Sequence, residues 1–67
     1  LATVSINDAI VRRRQNLGIR QADLASLAGV SLRTLIAIEQ GAANPSIDTL
    51  SKIVDVLGLE LTLTVKS

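Results

Sequence analysis

The sequence predicts an all-α fold, a bundle of four short helices, closed by one β-strand at the C-terminus. Three observations carry that prediction. Apolar residues recur at helical spacings of three and four through most of residues 6–57. Each of the four apolar segments runs into a glycine, and three of them begin at a serine. The last stretch, LELTLTVKS, abandons that period for strict alternation of apolar and polar residues. The whole chain, residues 1–67, reads as a single domain.

The first helix starts at Ser5, with Asp8 three residues on as a short acidic capping-box partner, and stops at Gly18. Ile6, Ala9, Ile10, Arg13 and Leu17 share one face. Arg12, Arg13 and Arg14 fall near its last turn, where cations suit the helix dipole, and read as a solvated basic face. The second helix runs from about Arg20 to Ala28, with Leu24, Leu27 and Ala28 inward, and Gly29 ends it. Ser31 caps a third, from Leu32 to about Gln40, with Leu35 and Ile38 in the core. GAANP, residues 41–45, is a loop, because Pro45 steers Asn44 away from helical backbone. Ser46 caps the fourth helix, Ile47 to Leu57, with Ile47, Leu50, Ile53, Val54 and Leu57 inward.

The strand covers about residues 59–66. Leu59, Leu61, Leu63 and Val65 lie on one face, opposite Glu60, Thr62, Thr64 and Lys66. A lone strand needs a backbone partner. The N-terminal LATVSI is one candidate. The same strand of a second copy, paired about a two-fold axis, is the other and the one we favour.

Composition narrows the chemistry. With no Cys and no His, disulfides, cysteine metal sites and the commonest general base are excluded. No Ser/His/Asp or paired-carboxylate constellation appears, so neither an enzyme nor a cofactor is expected. No apolar run is long enough to span a membrane and no signal peptide is evident, which points to the cytoplasm. The chain begins at Leu1 rather than Met, so residues can precede it. Charge is unevenly placed. Residues 1–33 carry five arginines against two aspartates, a net +3, while residues 34–67 carry two lysines against four acids, a net −2. The basic half suits an anionic partner.

Two short helices joined at a glycine, over about residues 20–40, form a helix-turn-helix. Gly29 permits the reversal, Ala25 is small at the crossing, and Leu24, Ala28, Val30, Leu35 and Ile38 lock the pair. Residues 15–58 resemble the lambda-repressor-like, XRE-type family of DNA-binding domains. The resemblance rests on Gln21, Ala25, Gly29, Leu35, Ile38, Glu39, Gly41 and Pro45. LGLELTLTV further resembles the C-terminus of HipB-type antitoxins, whose dimers pair such strands.

The family resemblance implies roles at matching positions. Ser31, Leu32, Arg33, Ile36 and Ala37 take the base-facing positions of the third helix. Arg33 is the strongest candidate, because its fork matches the O6 and N7 acceptors of guanine. Arg20, Gln21, Thr34 and Asn44 take phosphate contacts. Gln21 has an alternative role supporting the helix turn and Arg33 one pairing with Glu39 or Asp23, while Glu39 is expected to be structural, as a helix-end anchor or an arginine partner. Two positions depart from the family pattern. Arg20 replaces a Thr or Ser cap, and Leu32, Ile36 and Ala37 are apolar where relatives often carry polar residues. Apolar groups suit thymine methyls, T-rich sites, or a protein surface.

The function implied is sequence-specific repression of transcription by a homodimer on palindromic double-stranded DNA, with autoregulation of its own operon. The partner implied by the HipB likeness is a HipA-like toxin kinase. Two rivals stay open: a protein-interaction module of this fold without specific DNA binding, and the DNA-binding piece of a larger ligand-responsive regulator.

Overall fold

A computed structural model describes residues 5–63 and 65. It contains α1 (Ile6–Leu17), α2 (Gln21–Ala28), α3 (Leu32–Glu39) and α4 (Ile47–Val56), in the order expected. The boundaries follow local chemistry. Ser5, Ser31 and Ser46 each have extended backbone and accept, at Oγ, the N–H three residues ahead: Asp8 at 3.4 Å, Thr34 at 3.0 Å and Thr49 at 3.1 Å. Arginine has no acceptor to offer at the start of α2. There, Asp23 supplies the reciprocal half of a capping box, its Oδ2 accepting the Arg20 N–H at 3.0 Å.

The α2–α3 connection shows what the turn demands. Gly29 sits at φ +72°, in left-handed backbone that other residues enter at a cost. Its N–H reaches Ser26 O, and the Val30 N–H reaches Ala25 O at 3.0 Å, which closes the end of α2. Ser31 then caps α3 immediately, so the reversal takes only three residues, Gly29–Ser31.

α2 packs against α3 and α4, and α1 packs against α3. Ile10, Leu24, Leu35, Ile53 and Leu57 are fully buried at the centre, with Ala25, Ala28, Ile38, Leu50 and Val54 around them. Ile19, Val30, Ala43, Val56 and Leu59 flank that core. Small, branched aliphatics fill it without an aromatic ring, and Ala25 at 3% exposure lets α2 come close to its neighbours.

Several expected core positions lie outside it. Leu27, read as inward, is 67% exposed, and Ile47 is 72% exposed. Leu24 and Ala28 already fill the buried face of α2, and Leu27 falls off that stripe. Ile47 is the first residue of α4, ahead of the turn that carries Leu50 into the core. Ile6 and Leu17, at the ends of α1, are half exposed, and Ile10 is the apolar residue of that helix that is fully buried.

The expected C-terminal strand, about 59–66, forms no ladder among the described residues, and Thr64 and Lys66 lie outside them. Of the candidate partner within the chain, LATVSI, Ser5 caps α1 and Ile6 begins it, and residues 1–4 lie outside the described residues. A strand is defined by paired backbone, and this segment finds none among the described residues. Leu59 packs on the core, whereas Leu63 and Val65 are entirely exposed.

Gly29→Ala places a Cβ in open space but in left-handed backbone. A loss of about 1–2 kcal/mol is expected, read as a lower urea midpoint with unchanged slope. An unaltered midpoint would contradict the turn geometry.

Candidate nucleic-acid interface

One face of α3 belongs to the core and the other is free. Leu35, Ile38 and Glu39 are buried. Ser31, Leu32, Arg33 and Thr34 are exposed, and Ile36 and Ala37 are half buried. Helical spacing sorts these into two outward stripes, Leu32–Ile36 and Arg33–Ala37. Gln40, seven residues after Arg33, extends the second stripe and is also exposed.

What holds this helix is a buried polar network at its C-terminal end. Glu39 is 4% exposed at the side chain and Arg14 13%. Arg14 Nε donates to Glu39 Oε2 at 2.7 Å and Nη2 to Oε1 at 3.1 Å, a two-pronged ion pair. Arg14 Nη1 donates to Ile19 O at 3.1 Å, in the α1–α2 connection. Gln21 Nε2 donates to Glu39 Oε1 at 2.9 Å. The last turn of α1, the first residue of α2 and the last residue of α3 are thus tied at one carboxylate. Among the described residues no buried side-chain nitrogen or oxygen lacks a partner.

Arg13 is engaged as well. Its Nε donates to Leu57 O at 2.8 Å, placing a cation on the C-terminal carbonyls of α4. The reading of Arg12–Arg14 as one solvated basic face is therefore corrected. Arg13 and Arg14 serve the fold and Arg12 is exposed. Charge runs in a sequence do not reveal which members a neighbouring helix end will claim.

The cations available to a partner are accordingly fewer than the sequence count. Arg33 is exposed and makes no hydrogen bond or ion pair among the described residues. It pairs with neither Glu39, taken by Arg14, nor Asp23, taken by Arg20. Arg20 stands at the start of α2 with its guanidinium against Asp23, at 3.1 Å from Nε to Oδ2 and 3.2 Å from Nη2 to Oδ1. Hydrogen bonds from the Arg20 side chain, then from its backbone, hold the Asp23 carboxyl below its ordinary pKa. This pair is exposed, and water screens it.

The remaining candidates are placed as follows. Gln21 is half buried, with its side-chain amide donating to Glu39. Ser31 Oγ donates to Thr34 Oγ1 at 2.8 Å while accepting the Thr34 N–H, so its hydroxyl is occupied within the cap. Asn44 is exposed in the loop before α4. No helix among the described residues is long and apolar enough to cross a membrane, and no group of three or more metal-ligating side chains is drawn together there.

A helix-turn-helix family model matches residues 10–63, which includes all four helices apart from the first turn of α1. An uncharacterized HTH-type transcriptional regulator of Haemophilus influenzae is 37% identical over 60 residues, 90% of this chain and 61% of that protein. A second, from Methanothermobacter thermautotrophicus, is 39% identical over 51 residues, 76% of this chain and 74% of that protein. The chain spans about three fifths of the length of the Haemophilus relative.

Glu39→Gln leaves the Arg14 guanidinium buried without its counter-charge. A loss of about 3–5 kcal/mol is expected, enough to unfold much of a domain this small. The double replacement Arg14→Met with Glu39→Leu recovers part of that loss, measured by chemical denaturation. Equal stability of the single variant and the parent would show that the pair holds nothing.

Proposed function

We propose that this chain, which belongs to the XRE-type helix-turn-helix family, is a DNA-binding regulator of transcription that reads its operator through the free face of α3. The observation that carries this reading is that Arg33 is exposed and unpaired among the described residues, on a short helix fixed from behind. A cation left unpaired on a rigid outward stripe suits a guanine edge in the major groove. The names borne by both relatives, HTH-type transcriptional regulators, support the same reading. Gln21 and Asn44 serve phosphates, which set position, and α3 sets sequence. Arg20 reaches a phosphate by exchanging or sharing its exposed contact with Asp23. Thr34 touches the groove wall.

The regulator acts as a homodimer on a palindrome and represses transcription, including that of its own operon. The stripe Leu59, Leu61, Leu63 and Val65 supports the dimer. It begins on the core at Leu59 and runs out to Leu63 and Val65, exposed in the single chain. Exposed Ile6 and Ile47 adjoin it, since Ile6, Ile47, Leu50, Leu61 and Leu63 line one groove. Pairing of the two C-terminal segments supplies each with backbone partners that it does not find among the described residues, and sets the recognition helices roughly 34 Å apart, one helical turn of DNA. The likeness of LGLELTLTV to HipB-type antitoxins supports a further role restraining a HipA-like toxin kinase. Co-purification with the product of an adjacent gene tests that role.

Selection from random duplex DNA tests the main reading: an enriched palindrome, with affinity falling as salt rises, is expected. On the enriched duplex, Arg33→Ala is expected to lose about 1–3 kcal/mol of discrimination at the guanine position, with little change in binding to unrelated DNA. Equal losses on both would make Arg33 a phosphate contact. Removing residues 59–67 is expected to yield a folded monomer by sedimentation, with operator affinity weakened at the same time. A truncated dimer would take this segment out of the interface.

A further inference from the structure

We infer that α3 recognises the C5-methyl group of pyrimidines, with Leu32 and Ile36 as the methyl contacts, so that 5-methylcytosine substitutes for thymine at the bases they face. This deepens the DNA-binding reading and rests on it. Of the two outward stripes of α3, one carries Arg33 and the other, Leu32–Ile36, has no side-chain donor or acceptor. Leu32 is 43% exposed at the first residue of the helix, the end that approaches base edges in this motif. It does not belong to the core, which α3 meets through Leu35 and Ile38. The Ser31 hydroxyl next to it in sequence is closed into the helix cap, donating to Thr34 Oγ1 and accepting the Thr34 N–H.

Base chemistry then selects the occupant. The major-groove edges of guanine, adenine and unmodified cytosine present acceptors or an amino donor, which an apolar side chain dehydrates without replacing the hydrogen bond. Thymine presents a methyl at C5, and 5-methylcytosine presents the same methyl at the same place. The two differ at C4, an acceptor oxygen in one and an amino group in the other. Leucine and isoleucine do not register that difference by hydrogen bonding. The shared ligand is therefore the methyl itself.

The test uses the duplex enriched by selection, with wild type and Leu32→Ala compared at one salt concentration. At each thymine of the half-site, uracil removes the methyl and keeps the pairing with adenine. In a second set, C·G and 5-methylcytosine·G stand at the same position. Wild type is expected to lose about fourfold in affinity for the contacted methyl, the worth of one buried carbon, and to bind 5-methylcytosine tighter than cytosine by a similar factor. Leu32→Ala, at an exposed position and checked for helix content by circular dichroism, is expected to lose the discrimination at that base. Equal affinity for thymine and uracil, or full discrimination kept by Leu32→Ala, overturns the inference while operator binding stands. Discrimination of thymine from uracil without that of 5-methylcytosine from cytosine confines recognition to thymine and overturns the substitution. If no duplex is enriched by the folded protein, the DNA-binding reading falls and this one with it, and the apolar stripe belongs to a protein partner.

Discussion

The carboxylate of Glu39 is the point on which the rest of this small structure depends. It neutralises Arg14, receives Gln21, and in doing so ties α1, α2 and α3 together at one buried place. Burying an ion pair is costly, and a well-packed apolar trio could match its stability. What the pair supplies beyond that is direction. A guanidinium and a carboxylate that meet at two points have one good geometry, whereas leucines slide past one another. With an aliphatic core and no aromatic residue to key its layers, directional contact is what sets the angle at which α3 leaves the body.

That fixed angle separates the two jobs of α3. Its inner face is Leu35, Ile38 and Glu39, and these hold it. Its outer face then has nothing to stabilise, and so it is free to carry residues that the fold does not need. Arg33 is such a residue, and so is Leu32. A helix of eight residues has little helical stability of its own and depends on packing to exist. The glycine turn before it and the ion pair at its end act at opposite ends of the same element.

The arginines divide in the same way. Of five in the basic half, Arg13 and Arg14 are drawn inward to helix ends and a carboxylate. Arg20 is held loosely by Asp23, and Arg12 and Arg33 face water. The basic character of residues 1–33 is therefore as much structural as electrostatic, and the charge open to an anionic partner is concentrated on fewer side chains.

Helix starts and stops, and the glycine turn, were legible in the sequence because each is made by residues within three or four positions of one another. Ser5, Ser31 and Ser46 bond to N–H groups three residues ahead, and Gly29 turns the chain by its own backbone. Most of the core was legible for a related reason, since the 3.6-residue period puts Leu24, Ala28, Leu35, Ile38, Leu50 and Ile53 on single faces. The exposure of Leu27 and Ile47 was not, because hydropathy says that a residue prefers burial and not whether a neighbouring helix is there to cover it. Glu39 was legible as the partner of an arginine, but not that Arg14, 25 residues away, is that arginine, nor that Arg13 reaches Leu57 O, 44 residues away. Such contacts are decided by where whole helices come to rest. The alternating segment after Gly58 lies between these cases: its period is local and plain, but a strand exists only when another backbone meets it. The sequence by itself determined where each helix begins and ends. Only the tertiary structure decided which charged side chains the fold consumes and which it leaves free.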